Sequence, residues 1–142
     1  MRLFSRIMST GLMQRRILDR NFFVERLMPS AMATKLSDTE FRHYRDVQPS
    51  PEERRGVAEM PKQILAARPL LERLALDVPE QLGSKPALLV WGMKDLAFRP
   101  AVLRRARAAF SDVDVRTLPN ARHYIQEDAP LEIADAIARR FG

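Results

Sequence analysis

Residues 87–91, Ala-Leu-Leu-Val-Trp, form an unbroken apolar run of strand length between Pro86 and Gly92. Such a run suits a strand covered on both faces, as in a parallel sheet. From Arg99 to Phe110 the pattern turns helical, with Val102, Leu103, Ala106 and Phe110 on one face and arginines on the other. Val113-Asp-Val-Arg-Thr117 then alternates and reads as a second strand. Strand, helix and strand at this spacing imply two parallel neighbours joined by a right-handed crossover. Two parallel strands are too few for a stable sheet. The chain is therefore expected to hold the end of a larger sheet whose earlier strands lie elsewhere. Pro130 opens a last helix, for which Leu131, Ile133, Ala134, Ile137, Ala138 and Phe141 are the expected buried stripe.

Upstream, Phe4 to about Val78 is helical and punctuated by proline. Ser37-Asp-Thr-Glu40 is a capping box, in which the serine oxygen meets an orphan N–H and the glutamate reaches back. Ser50-Pro51-Glu-Glu53 repeats it, with proline at the first helical position, where its missing N–H costs nothing. Pro61, Pro69 and Pro79 are expected at further breaks, since proline clashes with the preceding turn. This gives five or six short helices anchored by Phe22, Phe23, Leu27, Met28, Met32, Phe41 and Met60. Six of the seven methionines lie within residues 1–78, and they suit either core filling or an adaptable wall beside a ligand. The expected organisation is a helical segment, 1–78, followed by an α/β segment, 79–142.

Composition narrows the class. Cysteine is absent, which removes disulfides, cysteine-bound zinc and a cysteine nucleophile together. Two histidines, His43 and His123, make a histidine-rich metal site improbable, and no metal or cofactor is expected. No run approaches the roughly 18 apolar residues of a spanning helix, so the expected setting is cytoplasmic, with no membrane partner. Of the formal net charge of +6, four units sit in residues 1–20, where five arginines face only Asp19. That stretch suits an amphipathic helix or an organelle-targeting peptide. A nucleic-acid partner is not expected, because no basic stripe interleaved with aromatics and no reading motif is present. Arg104, Arg105 and Arg107 read as the solvated face of a helix.

The residues suited to chemistry follow the two strands. Asp95 ends Trp91-Gly-Met-Lys-Asp95, and His123 ends Leu118-Pro-Asn-Ala-Arg-His123. Neighbouring parallel strands place their C-terminal loops side by side, where open α/β sheets bind ligands. A carboxylate there can fix the histidine tautomer and stabilise the imidazolium. Singly, Asp95 suits a turn or cap, and His123 a structural role.

With those residues in place the chain resembles the C-terminal half of the α/β-hydrolases, in their haloalkane dehalogenase-like branch. Lys85-Pro-Ala-Leu-Leu-Val-Trp-Gly-Met-Lys-Asp95 is similar to the penultimate core strand with the triad acid at its end. Ala121-Arg-His-Tyr-Ile-Gln-Glu-Asp-Ala-Pro130 is similar to the catalytic-histidine loop. Pro51-Glu-Glu-Arg-Arg-Gly-Val-Ala-Glu-Met-Pro61 resembles the end of the helical cap. The order acid then histidine is that of the fold. The resemblance implies an α/β fold in which a helical cap (1–78) precedes two parallel core strands and their helices (79–142), the sheet being incomplete. It implies Asp95 and His123 as catalytic residues and a small apolar substrate in the complete parent. Tyr124 and Arg122, beside the histidine, read as packing or surface residues.

One part of the family pattern is missing. A nucleophile elbow, G-x-S-x-G, needs two glycines four apart. Gly11, Gly56, Gly83, Gly92 and Gly142 include no such pair. The only tryptophan, Trp91, sits in the predicted strand, whereas dehalogenases commonly hold the halide with a tryptophan from the cap. The parent is expected to hydrolyse a carbon–halogen or ester bond through a covalent intermediate, and this chain alone is expected to be inactive. Its expected partner is an N-terminal half, or a second copy. The alternative is a non-enzymatic interaction protein that self-associates to complete its sheet.

Overall fold

A computed structural model describes residues 2–142. The helices are α1 (Arg2–Met8), α2 (Gly11–Arg20), a π-helical turn (Phe23–Leu27) running into α3 (Met28–Ser30), α4 (Asp38–Asp46), α5 (Arg55–Ala66) and α6 (Arg68–Leu82). The strands β1 (Ala87–Gly92) and β2 (Val113–Leu118) flank α7 (Pro100–Arg107), and α8 (Ile125–Asp128) and α9 (Pro130–Phe141) follow. Two compact units result: residues 1–30 with 35–71, and residues 31–34 with 72–142. The chain passes from the first to the second inside α6, at Leu71, and Val78 lies within that helix.

In the first unit Met8, Ile17 and Ala58 are buried at the centre, with Met13, Leu18, Phe22, Phe23, Leu27 and Val57 packed against them. The Gln14 amide N–H donates to the carbonyls of Met8 and Ala58, which ties α2 to the end of α1 and to α5. α2 stops at Asn21, whose left-handed backbone (φ 45°) lets its N–H reach the Arg16 carbonyl. The Ser37–Glu40 capping box forms in both directions. At Ser50 the reciprocal contacts with Glu53 also form, but residues 51–54 stay a tight turn and α5 starts only at Arg55.

Two of the three expected proline breaks are absent. Pro61 lies inside α5 and Pro79 inside α6; the helices part at Ala67, with Pro69 in the first turn of α6. An internal proline removes one i→i−4 bond and costs about 3 kcal/mol. Pro61 is buried, so its ring recovers apolar burial there. Beyond Pro79 the helical bonding resumes, Gly83 N donating to the Pro79 carbonyl.

In the second unit β1 and β2 pair in parallel, from Ala87 opposite Val113 to Gly92 opposite Leu118, with α7 as the crossover. They are the only strands among the described residues, and α7 and α9 both contact β1. Strand burial is correspondingly thin: residues 87–91 are half-buried, and residues 114–117 are exposed. The expected buried stripe of α9 is not buried within the chain. Leu131 is 83% exposed, Ile137 50% and Phe141 56%, while Ile133 is half-buried. Two strands offer a helix too little area to cover its apolar face. No helix among the described residues is long and apolar enough to cross a membrane.

Candidate active site

The paired strand ends build the site. Gly92 closes β1 opposite Leu118 of β2, and the following loops are laced together: Met93 N donates to the Leu118 carbonyl (3.0 Å) and Lys94 N to that of Ala121 (3.0 Å). This brings Asp95 and His123 together, 28 residues apart in sequence, with His123 Nδ1 2.9 Å from Asp95 Oδ2. An ionised carboxylate only accepts, so Nδ1 holds the proton and donates it, leaving Nε2 as a base.

Asp95 is fixed from its other side as well. Its Oδ1 accepts the N–H groups of Ala97 (2.6 Å) and Phe98 (3.1 Å). Its side chain is 7% exposed, against 39% for His123. Burial by itself would raise the Asp95 pKa, but the hydrogen bonds from His123, Ala97 and Phe98 outweigh it and hold the carboxyl below its usual range. A carboxyl depressed in the folded state adds stability that is present above the unfolded pKa, near 4, and lost as pH falls through the lower folded value. Asp95→Asn is therefore expected to flatten the acid limb of thermal stability below about pH 4. Equal acid slopes in wild type and variant would count against this.

Aromatic rings surround the imidazole. Phe98 stacks on it at 5.4 Å between centroids and 21° between planes, and Tyr124 meets it edge-on at 5.6 Å. The Trp91 indole N–H donates to the Phe98 carbonyl (2.6 Å), and the two rings meet at 6.2 Å. Trp91 thus braces the acid loop from the strand. Burial pushes the Tyr124 hydroxyl up from its ordinary pKa. The Arg122 guanidinium donates to the Met32 carbonyl at 3.4 Å, and its backbone N–H to Asp128 Oδ2 at 2.7 Å. Sequence reasoning misses Phe98 and Asp128. Phe98 carries a weak signal as an aromatic three residues after the acid; Asp128 carries none.

The family model for the alpha/beta hydrolase fold matches residues 5–130. The chain belongs to that family. It is 59% identical over 143 residues to haloalkane dehalogenase 2 of Mycobacterium tuberculosis, spanning all of this chain and 50% of that protein. Identity to a haloalkane dehalogenase of Bradyrhizobium diazoefficiens is 33%, over 96% of this chain and 44% of that one. Among solved structures, haloalkane dehalogenase DbeA from Bradyrhizobium elkani USDA94 superposes with a TM-score of 0.81 at 28% identity. That match covers 96% of this chain and 48% of the DbeA chain. This α/β-hydrolase chain is thus a haloalkane dehalogenase homologue spanning about half the length of the relatives it matches.

Proposed function

We propose that residues 1–78 are the cap and residues 79–142 the C-terminal core of a hydrolase that cleaves a carbon–halogen or ester bond of a small apolar substrate. The observation that carries this is the His123–Asp95 pair, aligned at 2.9 Å on adjacent strand ends. In the complete parent an aspartate nucleophile displaces halide from the alkyl carbon and becomes an alkyl ester. His123 Nε2 then takes a proton from water, and the hydroxide adds to the ester carbonyl. The acyl C–O bond breaks to release the free aspartate and the alcohol, which takes up the proton. Asp95 orients the ring and stabilises the imidazolium. With a serine nucleophile, the same pair serves an ester. Phe98 and Tyr124 flank the ring with apolar surface, and excluding water strengthens the electrostatics there.

The nucleophile and the donors that stabilise the leaving group come, in this reading, from outside these residues, and the chain alone turns nothing over. Fusion to the N-terminal half of a relative tests this by halide release from 1-haloalkanes and by hydrolysis of p-nitrophenyl esters. A fused protein, correctly folded, that cleaves neither would overturn the reading, as would turnover by the unfused chain.

Leu131, Ile137 and Phe141 favour a second reading, an interaction protein that self-associates over its exposed apolar face. On that reading light scattering should give a mass that rises with concentration, and Ile137→Glu should return it to the monomer value. A monomer at all concentrations would exclude self-association.

A further inference from the structure

Asp128 accepts three hydrogen bonds, as many as Asp95, and the hydrolytic mechanism does not employ it. Its Oδ1 accepts two backbone N–H groups, from Ala33 and Thr34, both at 2.8 Å, across 95 and 94 residues of sequence. Its Oδ2 accepts the N–H of Arg122 at 2.7 Å. Segment 31–34 has no regular secondary structure, so these N–H groups have no ladder to join. The same segment turns back on the histidine: the Ala31 carbonyl accepts from His123 N (3.0 Å) and Tyr124 N (3.4 Å). Asp128 is in turn tied to that loop through its own N–H, which donates to the Tyr124 carbonyl at 3.1 Å.

We propose that Asp128 is a positioning residue, its carboxylate clamping segment 31–34 to the histidine loop so that the His123 ring stays in line with Asp95. The inference deepens the hydrolase reading and rests on it. Hydrogen bonds to an ionised carboxylate are about twice as strong as neutral ones. One of the three fixes the Arg122 backbone next to His123, the other two hold segment 31–34, and the Ala31 carbonyl of that segment fixes His123 itself. The ring is 39% exposed and its Nδ1 reaches a single carboxylate oxygen, so beside the packing of Phe98 and Tyr124 its alignment depends on where the loop backbone is held. A displacement of 1 Å at a catalytic group can cost on the order of a hundredfold in rate.

Asp128→Asn separates this role from mere stability. Whichever way the amide is flipped, its NH2 faces a backbone N–H, so at least one donor exchanges the carboxylate for solvent and the clamp opens there. The readout is the imidazole 15N shifts of His123 in this chain, which report the nitrogen that holds the proton and need no turnover. Arg140→Ala is the control, because Arg140 pairs with Asp112 and Asp114 at the opposite end of β2.

Wild type and Arg140→Ala are expected to be protonated on Nδ1, and Asp128→Asn to pass mainly to the Nε2-protonated form. Retention of the Nδ1 form in Asp128→Asn would overturn the inference and leave the hydrolase reading standing. An equal shift in Arg140→Ala would overturn it too, as general loosening. A wild type protonated on Nε2 would remove the His123–Asp95 pair, and both readings with it. If Asp128→Asn does not fold, Asp128→Glu decides on the same readout, since the added methylene drives the carboxylate past its donors. A shift toward Nε2 there supports the clamp, and an unchanged ring overturns it.

Discussion

Fused to the N-terminal half of haloalkane dehalogenase 2 of Mycobacterium tuberculosis, the chain is expected to hydrolyse, and His123→Ala in that fusion to abolish turnover. That relative is chosen because it is 59% identical to this chain over all of the chain and 50% of its own length. Catalytic groups that act as a unit fail as a unit: removing the histidine of a triad costs about 10⁶ in kcat in the best-measured case. A loss of four orders of magnitude or more is expected here. The mode of failure identifies the nucleophile. An aspartate attacks the alkyl carbon without a base, so the variant should release one equivalent of halide per protein and stall as the ester. A serine needs the base for its own attack, and no burst should appear. Mass spectrometry of the stalled protein should find the alkyl group attached. Full turnover in His123→Ala would leave the site without support.

Local grammar is enough to place the pair. Pro86 and Gly92 bracket an apolar run too short for a helix, and Val113–Thr117 alternates, so the parallel pair with its crossover is legible in the sequence. Residues at adjacent strand ends must be near one another, which is why sequence alone can pair Asp95 with His123. The prolines mislead because a proline signals a local clash, whereas burial of the Pro61 ring is a tertiary property. α9 misleads for the same reason in reverse: its 3.6-residue pattern marks a face meant to be covered, not one covered within this chain. Phe98 gives only a weak local signal and Asp128 none, because contacts distant in sequence decide their roles. The ring of one finds His123 25 positions away, and the carboxylate of the other finds donors 94 and 95 positions away.

Gly92→Ala is expected to be the most damaging methyl group that can be added to the site. Gly92 has no positive φ, so the demand on it is space. A Cβ there would overlap the Arg122 carbonyl, lie 2.9 Å from that of Ala121 and 3.0 Å from Ile125 Cγ2. The first two neighbours are backbone and cannot rotate away; relief requires that the histidine loop move off the end of β1. Overpacking of this kind costs about 3 kcal/mol, or roughly 10 °C in melting temperature for a chain of this size. The same step unlaces Lys94 N from the Ala121 carbonyl and parts His123 from Asp95, so the imidazole proton should leave Nδ1 as stability falls. Gly56→Ala supplies the opposite case. Gly56 lies in α5, and an added methyl group there would meet nothing within 4 Å, so alanine relieves only backbone entropy and should stabilise by about 0.5–1 kcal/mol. Thermal unfolding of the two variants at low protein concentration should therefore give shifts of opposite sign. A Gly92→Ala protein that melts within a degree or two of wild type, with its Nδ1 proton in place, would show that the two loops are not packed as closely as the site requires.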